Sequence, residues 1–310
     1  MYGMATRVRA RQRVVAAADG SLVARHAVLW AAEEAQHRRG ELVIAHVDVA
    51  SPDAIGLPVD LSGSEAILEA SAEAASTRAP SVPVATLLLH GVVTDELIRL
   101  SRSASVLVVG VDPAKPRSAH GALGPIEDRV VLQARCPVVA VHTPSRPGKN
   151  HGADIVVGWV ATDSGARALH AAAEEAAVRR ALLTVVSVLP ADSGHPDSTG
   201  PSAHSERALS GALAAARAEF RDLIVNVVQE EGDVVSVLKL RAQSAEVLVV
   251  GCPGAEEWRS VRTGPIVGAL MREAPCPVML VSRTAADLPP PHAELEHADV
   301  SKHTRVVAGR

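Results

Sequence analysis

The chain has 310 residues, enough for two domains that each bury a core. Apolar residues make up 47 % of it and aromatics only 2 %, and the formal net charge is −4 without a basic stripe. That balance excludes nucleic acid as an expected partner, because duplex binding needs clustered cations and single strands are held by stacked aromatics.

Residues 1–12 hold arginines followed by no apolar segment, and no later run approaches a membrane span, so neither a leader nor a membrane partner is expected. The expected location is the cytoplasm. From Arg13 short apolar runs alternate with helix-period segments. "RVVAAA", "ELVIAHV", "VATLLLH", "SVLVVG" and "PVVAVH" read as five buried strands with four helices between them. The Pro- and Gly-rich stretch "HTPSRPGKNHGA" then reads as a linker. A second series follows: "DIVVGWV", "LLTVVSV", "LIVNVV", "EVLVVG" and "PVMLVS". From about Ala285 periodicity stops and proline and charge accumulate, which predicts a disordered tail. The domain reading is thus a disordered 1–12, a first domain over 13–143, a linker over 144–153, a second domain over 154–284 and the tail over 285–310. Cys136, Cys252 and Cys276 form neither a CxxC nor an even framework, and the histidines lack metal-ligand spacing, so no metal is required and the thiols read as buried apolar groups.

The two series are copies. Trp30–Val47 aligns with Ala171–Val188 at an offset of 141, and "VLVVG" recurs at the same offset, Val106–Gly110 against Val247–Gly251. "GPI" and "CPV" recur at 140, so the intervening glycine loop is one residue longer in the first copy. Each copy is expected to form an α/β unit of Rossmann-like or flavodoxin-like type, an open five-stranded parallel sheet with helices on both faces. The last strands, "CPVVAVH" and "CPVMLV", would otherwise be bare apolar edges, which predicts that they pair with each other.

In such sheets ligands bind beyond the carboxyl ends of the strands. Asp19, after the first strand, can accept a hydrogen bond from a ribose or base, or with Ser21 can cap the next helix. In the second copy Gly251, Gly254 and Gly264 stand at G-x2-G-x9-G after a strand, and Gly264 opens a helix whose N–H groups can receive a phosphate. Lys115, Arg117 and His120 in the first glycine loop read as solvated charges, and His46 and His90 as packed strand residues. No nucleophile elbow, Walker lysine or acid–base pair stands at the strand ends.

"VVAAADGSLVARHAVLWAAEEA", "LVIAHV", "VLVVG" and "ARCPVVAVH" together resemble the universal stress protein family, and the duplication resembles its tandem members; the resemblance covers about Arg13–Arg283. It implies an ATP pocket built from an acidic residue after the first strand, main chain at the end of the second, and G-x2-G-x9-G followed by Ser or Thr. The first copy matches at Asp19, Val47 and Gly110, but Pro113 replaces the second glycine and Gly124 comes late, before Pro125. The second matches at Val188, Gly251, Gly254 and Gly264, with Ile266 keeping a free N–H, but has Val160 where Asp19 aligns and Pro265 in place of the hydroxyl residue. These departures imply two degenerate pockets, weak ATP binding, and tighter binding in Pro265→Ser. The expected function is that of a non-enzymatic stress-response protein, with a homodimer compatible. A nucleotide-independent scaffold acting through protein contacts is the alternative, and a slow ATP hydrolase ranks below both.

Overall fold

The computed structural model describes residues 12–48, 61–112, 125–142, 154–189, 203–252, 264–282 and 304–307. The first half runs β1 (Arg13–Ala17), α1 (Leu22–His37), β2 (Glu41–Asp48), α2 (Ser62–Arg78), β3 (Val84–His90), α3 (Val93–Leu100), β4 (Val106–Gly110), α4 (Pro125–Gln133) and β5 (Val138–Val141). In the second half the same order gives β6 (Asp154–Trp159), α5 (Asp163–Arg179), β7 (Leu183–Leu189), α6 (Ala203–Glu219), β8 (Val225–Glu231), α7 (Val234–Ala242), β9 (Ala245–Gly251), α8 (Pro265–Glu273) and β10 (Val278–Val281). A short β11 (Thr304–Val307) follows.

Local chemistry accounts for the helix ends. Ser21 Oγ accepts the Ala24 N–H and Thr162 Oγ1 accepts the Gly165 N–H, so α1 and α5 begin on equivalent hydroxyl caps. Both stop at an arginine in the left-handed region, Arg39 (φ 52°) and Arg180 (φ 56°), which turns the chain into the next strand.

Each half is a doubly wound parallel sheet, ordered β3-β2-β1-β4-β5 and β10-β9-β6-β7-β8. Central strands such as β4, β5 and β10 are apolar at consecutive positions because helices cover both faces. Residues of α1, α2, α5 and α6 close one face, and those of α3, α4, α7 and α8 the other. The expected pairing of the final strands is found. β5 and β10 run antiparallel, with Met279 opposite Val139 and Val278 opposite Ala140, and make one continuous sheet about a pseudo-two-fold axis.

Above that seam α1 meets α5 through a ring of buried charge. Arg38 bonds Glu34 on its own helix and Glu175 on the other; Arg179 bonds Glu175 on its own helix, at 3.3 Å, and Glu34 on the other. All four are equivalent pairs of the repeat. Glu174 adds a 3.0 Å contact to Arg38, Glu246 one of 2.7 Å to Arg179, and the Arg179 guanidinium sits 5.5 Å from the centre of the Trp30 ring. The two guanidiniums face two fully buried carboxyls and two partly exposed carboxylates at the rim, so the cations leave water only with acidic partners around them.

The tail departs from expectation. Residues 283–303 lie outside the described residues, but Thr304–Val307, read from sequence as unstructured, pair antiparallel with β3, Val307 opposite Val84 and Thr304 opposite Leu87. Four residues are too few to show a period, and the Thr and two valines suit an edge that would otherwise stay bare.

Candidate functional site

At the carboxyl ends of β1, β2 and β4 a cavity of about 150 Å³ gathers Asp19, His46, Val47 and Gly110 from segments distant in sequence. The order reverses between β1 and β4, so the cavity occupies the switch point of the sheet. Asp19 is exposed, and its Oδ1 accepts the Ser21 N–H at 2.9 Å, while Ser21 itself caps α1. His46 Nδ1 donates to the Ala18 carbonyl at 2.7 Å, which fixes the ring beside the cavity. A larger cleft of about 890 Å³ opens between α1 and α2 and shares Ala18 and Ala24 with this cavity. Its polar groups are strung along two helices, so we assign the site to the smaller cavity, where they converge on the strand ends.

The structure brings Asp19, Val47 and Gly110 to the border of one cavity. Gly110 has a further role: a Cβ there would lie 2.7 Å from the main chain of Val23 and Ala24, so the glycine lets α1 lie against β4. Gly251 is its equivalent, with a Cβ that would lie 2.5 Å from the Ser164 carbonyl oxygen. Gly124 and Gly254 lie outside the described residues, as do Pro113, Lys115, Arg117 and His120. Gly264 is the N-cap of α8 without a side-chain bond, Pro265 stands in the first turn, and Ile266 is exposed. His90, read as packed, is instead half exposed at the end of β3, 3.9 Å from Asp48, because the strand runs out of cover there. The three cysteines are buried, and burial pushes their thiols up to about 12.

The equivalent place in the second half differs in two side chains. Trp159 replaces Ala18 and is 5 % exposed; Val160 replaces Asp19 and is 61 % exposed. Leu238 lies against β6, where a Cβ on Gly158 would lie 3.0 Å from its Cδ1; its counterpart in the repeat, Leu97, is also a leucine and borders the first cavity. The position of Gly158 is that of Ala17, which borders the first cavity. Val188 and Gly251 keep their strand-end positions, while a buried indole replaces the Ala18 methyl and no acid stands at position 160. Sequence reading noted Val160 and missed Trp159. It also missed the ring of Glu34, Arg38, Glu175 and Arg179, although the aligned "EEAQHRR" and "EEAAVRR" carried that signal.

A model described as the universal stress protein family matches the chain twice, over residues 10–142 and 153–282. A universal stress protein of Mycobacterium tuberculosis is 32 % identical over 182 residues, 58 % of this chain and 66 % of that relative. One of Mycobacterium bovis is 25 % identical over 293 residues, 89 % of this chain and 99 % of the relative. Among solved structures, a universal stress protein from Archaeoglobus fulgidus superposes with a TM-score of 0.65 at 17 % identity, covering 88 % of this chain and 97 % of that one. Among the described residues no helix is long and apolar enough to cross a membrane.

Proposed function

Because the chain belongs to the universal stress protein family, we propose that it is a non-enzymatic stress-response protein whose first half offers one shallow nucleotide pocket and whose second half supports it. Family membership supports the stress-response role. The observation that carries the rest is the contrast between the halves: Ala18 and Asp19 border a cavity together with His46, Val47 and Gly110, while the buried Trp159 and the exposed Val160 stand at the positions of Ala18 and Asp19. The Asp19 carboxylate suits a ribose or base donor, and the main chain of Val47 a base edge. Phosphates would then extend toward the glycine loop after β4. The non-enzymatic reading is supported by Glu34 and Glu175, the carboxyls most shifted by burial and arginines, lying in the seam and not in the lining of the cavity.

A cavity of about 150 Å³ is smaller than the few hundred Å³ common for ligand pockets, which is the observation favouring the nucleotide-independent scaffold. Calorimetry with ATP separates the readings. One site per chain is expected, with a Kd of roughly tens of micromolar to millimolar, lost in Asp19→Ala. Pro265→Ser, which from sequence alone should tighten binding, is now expected to change little, since Trp159 and Val160 remain. Two equal sites, or full affinity in Asp19→Ala, would contradict the proposal; absence of heat at every concentration favours the scaffold.

A further inference from the structure

The two halves treat their outer sheet edges differently. β3 and β8 are equivalent strands, Val84 matching Val225 and His90 matching Glu231. β11 covers the edge of β3, whereas no strand lies beyond β8 among the described residues. The side chains reflect this. Thr86 is 8 % exposed, its counterpart Val227 is 49 % exposed, and Ile224, just before β8, is 69 % exposed.

The hydrogen-bonding groups on that edge can be named. Leu183 N–H donates to the Ile224 carbonyl, so Ile224, Asn226 and Val228 turn their main-chain groups toward β7. Val225 and Val227 therefore point theirs outward. The parity on β3 is identical: Leu42 N–H donates to the Pro83 carbonyl, which turns Val84 and Thr86 outward, and these are the residues opposite Val307 and Arg305 of β11. β8 thus repeats the template on which the tail strand already pairs, and leaves it open with two apolar side chains beside it.

We propose that the open edge of β8 is a docking site for the C-terminal strand, Thr304–Val307, of a second copy of this chain. In the register seen on β3, Val307 falls opposite Val225, Arg305 opposite Val227 and Thr304 opposite Val228. Charge favours the new edge over the old. β8 ends in Gln229, Glu230 and Glu231, where β3 has Leu88, Leu89 and His90, and the residues that precede Thr304 are Ser301, Lys302 and His303. An antiparallel strand brings that basic end to the acidic end of β8. The length also allows it: positions 283–303 separate the two described segments, and an extended chain of that many residues, at roughly 3.3 Å each, would reach across several strand spacings. A tail that leaves its own β3 for a neighbour's β8 exchanges one four-residue pairing for another, so the balance is set by concentration and by the charges. The contact joins unlike surfaces and is therefore heterologous.

Sedimentation velocity on the full chain at rising concentration tests this. Species larger than the monomer are expected to grow with concentration. Val227→Pro removes the outward N–H at an edge position where proline leaves the β7 pairing intact, and is expected to weaken association about tenfold. Val227→Lys, which keeps the N–H and sets a charge against the incoming Arg305, should weaken it too and stands in if the proline variant does not fold. Thr86→Pro, which frees the tail from β3, should strengthen it. A full chain that stays monomeric throughout, or association unchanged in both Val227 variants, overturns the proposal.

Discussion

Gly251 and Gly110 carry more than one reading in the same symbol. From sequence they belong to a phosphate-binding glycine pattern; in the structure each lies where a Cβ would meet the first turn of the helix on its flank. A glycine that admits a ligand and one that admits a helix leave the same trace in a sequence, so only geometry tells them apart. Gly251→Ala is accordingly expected to lower stability by about 1–3 kcal/mol, the usual cost of forcing an atom into a packed site, as read by denaturant unfolding. A variant as stable as the parent would mean that α5 shifts freely from β9. Pro265 illustrates the reverse case. Its place in the first turn of α8 was legible, because a residue without an N–H suits a position whose N–H is unpaired anyway.

At the level of elements the seam between α1 and α5 matters most. Removing one member of the ring leaves a buried charge without its partner, so Arg179→Met is expected to cost about 3–5 kcal/mol; a loss under about 1 kcal/mol, the range of an exposed ion pair, would contradict this. The ring also gives stability a pH dependence with a definite sign. Burial pushes both carboxyls up, but Arg38 and Arg179 bring Glu34 below the ordinary range. Glu175 is pushed up by burial, and also by Glu34 and Glu174, against the pull of the two arginines, and ends at about 7. These values belong to the pair, which releases one proton in acid and holds the other nearly to neutrality. For the raised group, the folded form holds a proton that the unfolded form has lost above its ordinary value of 4.5; its contribution is full below 4.5 and is lost as pH rises through about 7. For the lowered group the contribution is present above 4.5 and is lost only in stronger acid. Stability is therefore expected to fall from about pH 4.5 to about pH 7 through Glu175, and Glu175→Gln to flatten that fall. Equal slopes in the two proteins would contradict the assignment.

Across the whole molecule the repeat made the architecture legible. Ten strands, eight helices and the β5–β10 seam follow from apolar runs, helix periods and the tendency of apolar edges to be covered. What the sequence did not reveal is three-dimensional bulk. Trp159 stands where the first half has Ala18, and only the fold shows that this ring is buried at the carboxyl end of β6. Nor could four residues of the tail announce a strand, since its partner edge is more than two hundred residues away. The central proposal is the division between the halves, a nucleotide pocket at Asp19 in one and none at Val160 in the other. Photolabelling the full chain with an azido-adenine analogue of ATP, followed by peptide mapping, tests it most directly. Label is expected on first-half peptides near Asp19 and Val47 and is expected to disappear in Asp19→Ala; label on second-half peptides, or equally on both, would contradict it.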